Sequence, residues 1–137
     1  MVEFDPDKER RSLMTAKTGS TMHIGELAER TGLSLRTIRH YDEVGLLPAT
    51  ARTDGGFRIY SEDDFERLMV IKQMKPLGFS LEEMAEILDI LSRPAGANEE
   101  AQARLAVLLE KAVGQREKMA HNLAQADELI RRLSGHG

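Results

Sequence analysis

The chain contains no cysteine. That excludes disulfides, thiolate metal sites, iron–sulfur clusters and cysteine nucleophiles together. It also has no apolar run near the roughly 18 residues of a membrane span, and its N-terminus (M-V-E-F-D-P-D-K) is too acidic for a signal peptide. A cytoplasmic protein with no membrane partner is the expectation. The four histidines, His23, His40, His121 and His136, show no metal-ligand spacing, so each reads as an ordinary solvated side chain. No nucleophile–base pattern, phosphate loop or Rossmann glycine set occurs. Neither an enzyme nor a cofactor or metal is expected. What remains, 137 residues with 41% hydrophobic content, suits one modest domain and an appendage.

Positive charge is not in excess either. The net charge is −4, the wrong sign for a partner such as nucleic acid, so its distribution matters. Residues 1–21 carry four acids and four bases, 22–60 five of each, 61–98 eight acids against four bases, and 99–137 six of each. The acidic excess therefore lies wholly in 61–98. Within 34–60 stand Arg36, Arg39, Arg52 and Arg58 against Asp42, Glu43 and Asp54, a local basic surface on an acidic protein.

Residues 1–21 have no apolar period and read as a disordered extension; a basic arm using Lys8, Arg10, Arg11 and Lys17 on phosphates is the sharper alternative. From His23 the pattern becomes regular. Ile24, Leu27 and Ala28 share a helical face that Thr31-Gly32 ends. Ser34 is an N-cap for a second helix with Leu35, Ile38 and Tyr41 facing inward. Gly45 ends it, Leu46-Leu47 return to the core, and Pro48 prevents continuation. Two short helices around a glycine turn make a helix-turn-helix. Arg52 and Phe57–Tyr60 then flank Thr53-Asp54-Gly55-Gly56, a β-hairpin signal because glycine accepts positive φ without steric cost.

Ser61-Glu62-Asp63-Asp64 opens a third helix in capping-box fashion, with Asp in place of Glu, and its apolar row runs to Pro76. Ser80-Leu81-Glu82-Glu83 is a full capping box for a fourth. The final helix, 99–133, spans about 50 Å at 1.5 Å per residue. Leu105, Ala112, Met119, Ala126 and Leu133 recur every seven positions, beside a row of Leu109, Arg116, Leu123 and Ile130 that Leu108 and Leu129 widen. A helix this long has no intrachain partner of matching length. Its stripe is best buried against the same helix of a second copy, so Leu105, Leu109, Ala112, Met119, Leu123, Ala126, Ile130 and Leu133 are expected at a homodimer seam. Whether the two helices run parallel or antiparallel is not readable from spacing.

The runs T-I-R-H-Y-D-E-V-G-L-L-P, A-R-T-D-G-G-F-R-I-Y-S-E-D-D-F-E-R-L and L-G-F-S-L-E-E-M, in this order, resemble the MerR (mercury-resistance regulator) family of bacterial transcription factors. The likeness is close over 22–92. His40 stands where a second aromatic is frequent, Gly55 where Asn is common and Phe57 where Tyr is common. The resemblance implies a mainly α fold: a winged helix-turn-helix head with a small β-hairpin wing, and a long C-terminal antiparallel coiled-coil dimerisation helix. The division expected is an extension at 1–21, a DNA-binding domain at 22–92, a connector at 93–98, the dimerisation helix at 99–133 and a flexible tail at 134–137. The function implied is a sequence-specific transcriptional regulator. Its homodimer binds a pseudo-palindrome in double-stranded promoter DNA and distorts it for RNA polymerase. An architectural or excisionase-like DNA-bending protein is the alternative, although it needs no such long helix. Metal- and redox-sensing members use cysteines near the end of the dimer helix, and drug-sensing members carry a further C-terminal domain. Neither is found up to Gly137, so the expected trigger is a small ligand in the dimer groove, a protein partner, or none.

At 100° per residue Leu35, Ile38 and Asp42 share one side of the second helix, and Arg36, Thr37 and His40 point away from it, toward a major groove. Arg36 can offer a bidentate fork to guanine, while Arg39 at the margin suits a phosphate. The family match implies that Tyr41, Arg52, Arg58 and Tyr60 contact phosphates. Phe57 is expected to pack the hairpin on the head.

Overall fold

The computed structural model describes residues 20–94 and 98–136. All but Ser20 and Thr21 of the expected N-terminal extension, and the middle of the expected connector, lie outside the described residues. The chain divides into two compact units, Met1–Gln73 and Met74–Gly137.

In the first unit, strand β1 (Met22–His23) leads directly into helix α1 (Ile24–Thr31). Gly32 ends α1 at φ 78°, in the left-handed region where a side chain is strained, and its N–H donates to the Ala28 carbonyl at 2.8 Å. Ser34 then caps α2 (Leu35–Glu43), its Oγ accepting from the Thr37 N–H at 3.1 Å. Gly45, at φ 80°, reverses the chain so that Leu46 and Leu47 are buried. This is the helix-turn-helix expected from the apolar spacing.

The wing follows. Strands β2 (Ala51–Arg52) and β3 (Arg58–Tyr60) pair antiparallel, Ala51 opposite Ile59 and Arg52 opposite Arg58. The turn between them closes through the Gly56 N–H to the Thr53 carbonyl at 2.8 Å, with Gly56 at φ 85°. β3 also pairs with β1, Met22 opposite Tyr60, giving a three-stranded sheet of order β1-β3-β2. The third strand was not expected. It is two residues long and takes its register from a partner far along the chain, so it has no local periodicity to read.

Helix α3 (Glu62–Met74) starts with the Asp variant of the capping box: Ser61 N–H donates to Asp64 Oδ2 at 2.9 Å and Asp64 N–H to Ser61 Oγ at 3.1 Å. Arg30 of α1 grips Glu62 with both Nη atoms, at 2.7 and 3.2 Å, and lies 4.0 Å over the Phe65 ring. Leu27, Ile38, Leu47, Tyr60, Leu68 and Ile71 are completely buried. Leu35, expected inward, is instead 38% exposed, because it begins the first turn of α2, beyond the reach of that core.

In the second unit a 3-10 turn (Lys75–Leu77) holds Pro76, and Ser80 and Glu83 form the reciprocal capping box of α4 (Leu81–Leu91). Helix α5 (Glu99–His136) is 38 residues long, about 57 Å at 1.5 Å per residue, and continues through the tail expected after Leu133 as far as His136. Its first turns pack on α4. Arg104 grips Glu86 at 2.9 Å through both Nε and Nη2, and the Lys111 ammonium meets Glu83 at 2.6 Å and lies 5.2 Å from the centre of the Phe79 ring. Leu108, read above as widening the seam, is buried in this packing. No described helix is long and apolar enough to cross a membrane.

Candidate nucleic-acid interface

Ile38 and Tyr41 bind α2 to the core, which decides what its other face presents. Arg36, Arg39 and His40 are exposed, and Thr37 is half-buried. The Thr37 hydroxyl accepts from the Ser34 hydroxyl at 2.9 Å, so it belongs partly to the helix cap. Tyr41 is 4% exposed, with its ring 6.1 Å from that of His40. The outer face of α2 therefore carries two exposed guanidinium groups and an imidazole on a capped helix. That is the chemistry that reads guanine edges and grips phosphates.

Beside this face the wing is tied to α2 through one carboxylate. Asp42 Oδ2 accepts from Arg58 Nε at 2.6 Å and from Arg52 Nη2 at 3.2 Å, and Oδ1 accepts from the Ala49 N–H at 3.0 Å. Burial acts to raise the Asp42 pKa. The Arg58 and Ala49 hydrogen bonds and the two positive charges outweigh it and hold the group below its ordinary range. Arg52 also donates to the Gly56 carbonyl at 3.1 Å, fixing the turn, yet its side chain remains 52% exposed. That of Arg58 is 17% exposed.

Two residues lie where the sequence did not place them. Phe57, expected against the head, is 68% exposed. Its ring covers the turn backbone, where a side-chain carbon on Gly55 would come within 3.3 Å of it. Tyr60, expected on a phosphate, is completely buried, and its hydroxyl has no hydrogen-bond partner among the described residues. β3 is the central strand, and Tyr60 sits opposite Met22, which is itself buried, so β1 covers the side chain that the wing alone would leave open. The Asp42 cluster was missed because its partners lie 10 and 16 residues away, beyond any local pattern.

Burial, followed by the nearby Asp42 charge, pushes the Tyr60 phenol up to about 12 from its ordinary 10.0. An acid whose pKa is raised by folding favours the folded state below its unfolded pKa and loses that contribution above it. Stability is thus expected to fall as pH rises from 10 toward 12. Tyr60→Phe should remove this alkaline loss. It should also raise stability near neutral pH by about 1 kcal/mol, since an unpaired buried hydroxyl is costly. Thermal melts between pH 7 and 11 check both effects. A drop in DNA affinity without loss of stability would return Tyr60 to the interface.

Along α5 the seam residues divide by position. Leu105 and Ala112 are half-buried, whereas Leu109, Met119, Leu123, Ala126, Ile130 and Leu133 are exposed. Leu123 is 64% and Leu133 65% exposed, an apolar stripe left uncovered among the described residues. Among the described residues no group of His, Asp or Glu could hold a metal ion.

Two family models match the chain: MerR HTH family regulatory protein over residues 22–90, and MerR, DNA binding, over residues 65–134. The chain is similar to the HTH-type transcriptional regulator YfmP of Bacillus subtilis, with 51% identity over 80 residues, 58% of this chain and 56% of that protein. It thus spans a little over half the length of that relative. Among solved structures it is similar to a MerR family transcriptional regulator from Bacillus cereus, at 32% identity and a TM-score of 0.56, covering 83% of this chain and 75% of that one. It is also similar to HiNmlR, a MerR family regulator lacking the sensor domain and bound to promoter DNA. There the identity is 25% and the TM-score 0.62, over 82% of this chain and 86% of that one.

Proposed function

The chain belongs to the MerR family of helix-turn-helix regulatory proteins, and on that premise we propose that it is a sequence-specific transcriptional regulator. It binds a pseudo-palindromic promoter site as a homodimer and distorts it, acts in the cytoplasm beside RNA polymerase, and catalyses no reaction. The observation that carries the reading is the outer face of α2, where Arg36, Arg39 and His40 stand exposed on a capped helix beside the basic wing. Arg36 and His40 read base edges. Arg39 and Arg52 hold phosphates, and Arg58, whose Nε is committed to Asp42, reaches them through its Nη edge. Tyr41 supports this surface from beneath.

The second half of the proposal is the homodimer. An exposed apolar stripe on a 38-residue helix is buried most simply by a second copy, and two heads then read two half-sites. Distortion is inferred from the family and is tested on the promoter itself. In transcription with purified polymerase, shortening the spacer between the promoter elements should make expression independent of the protein. Continued dependence on the protein at every spacer length would contradict distortion.

A further inference from the structure

Asp42 lies in the last turn of α2, where a carboxylate opposes the helix dipole and gains nothing from the helix. Its side chain is 12% exposed, and every hydrogen bond it makes is to the wing or to the loop leading there. The arrangement puts one negative charge between the two arginines with which the wing would hold DNA phosphates. Counted as charges, the Asp42–Arg52–Arg58 cluster carries one net positive unit rather than two.

We propose that Asp42 is a specificity-determining residue: a carboxylate that competes with phosphate for Arg52 and Arg58 and so keeps sequence-independent DNA affinity low. This deepens, and rests on, the DNA-binding reading above. Any duplex can offer phosphates to the wing, but each must displace or share the Asp42 hydrogen bonds. At a cognate site the base contacts from α2 offset that cost. At random sequence nothing does. The same bonds fix the wing to the end of the reading helix, so the arginines reach phosphates in the register set by α2.

Asp42→Asn keeps the shape and the acceptor for the Ala49 N–H but removes the charge. The expected result is a steeper salt dependence on random-sequence duplex, with the slope of log K against log salt growing by about 0.9, one phosphate contact. Between 200 and 50 mM salt that is about a threefold larger gain in non-specific affinity. Affinity for the selected site should rise less, so the ratio of specific to non-specific binding should fall. Asp42→Glu, which retains the charge, should keep the wild-type slope. Asp54→Asn removes the same formal charge from the exposed turn and should steepen the slope by less than half as much, which separates the cluster from net charge alone.

Fluorescence anisotropy on both duplexes, with circular dichroism melts of each variant, decides the matter. An unchanged slope in Asp42→Asn, or equal losses on both duplexes, would make Asp42 structural only and overturn the proposal. If Asp42→Asn does not fold, Arg52→Gln reads the same quantity from the other partner. Its slope should fall by clearly less than one contact, because part of its charge is already neutralised, and a full-contact fall overturns the competition. Wild-type protein that binds neither duplex at low salt would overturn the DNA-binding reading itself, and this inference with it.

Discussion

Converting Leu123 and Ile130 together to glutamate is expected to give a monomer whose operator affinity falls by about a hundredfold or more. Both side chains are already exposed, at 64% and 58%, so neither replacement removes packing within the chain. Glutamate and leucine have similar helix propensities, and α5 should therefore stay helical. Four glutamates brought to a two-fold seam would be desolvated without partners, a cost no dimer of this size absorbs readily. The affinity loss follows because the second head binds at an effective concentration set by its tether to the first, and a monomer has no such tether. Sedimentation equilibrium and anisotropy on one operator duplex measure the two effects separately. A double variant that remains a dimer would show that the stripe from Met119 to Leu133 is not the interface. A monomer that binds as tightly as wild type would show that dimerisation does not serve DNA reading.

The second large effect is expected at Arg36. Truncation to alanine should cost about 1–3 kcal/mol at the base pair it reads and relax preference there, while leaving non-specific affinity and its salt slope nearly unchanged. Removing Arg52 should act the other way, weakening all sequences together and flattening the slope. The difference comes from position: Arg36 stands in the first turn of α2, pointing away from Ile38, whereas Arg52 lies on a strand beside a turn it helps to hold. Selection profiles for the two variants, set beside that of the wild type, report both quantities. Loss of preference at one position in both half-sites is the signature expected of Arg36→Ala.

The elements were legible in the sequence wherever one residue type answers one local need. Ser34 and Ser80 cap their helices, Gly32 and Gly45 take positive φ, and Asp64 completes a capping box with Ser61, all as the spacing predicts. What was not legible depends on partners distant in the chain. Strand β1 exists because β3 offers it an edge, and that third strand makes β3 central and sets buried Met22 opposite Tyr60. Asp42 falls on the apolar side of α2 by helical arithmetic, but only the folded wing supplies the arginines that make a charge tolerable there. Phe57 departs from its expected place for the opposite reason. An aromatic beside a Gly-Gly turn reads as core by type, yet the ring stays exposed and lies against Gly55 of its own turn. On α5 the heptad spacing was plain, but it could not show that Leu108 is buried by the packing on α4.

The most direct test is selection of bound sequences from random duplex DNA by the full chain. An enriched pseudo-palindrome is expected, its two half-sites on one face of the duplex, each with a position whose preference depends on Arg36. Recovery of sequences with no common motif, or of a single half-site without its mirror image, would contradict it.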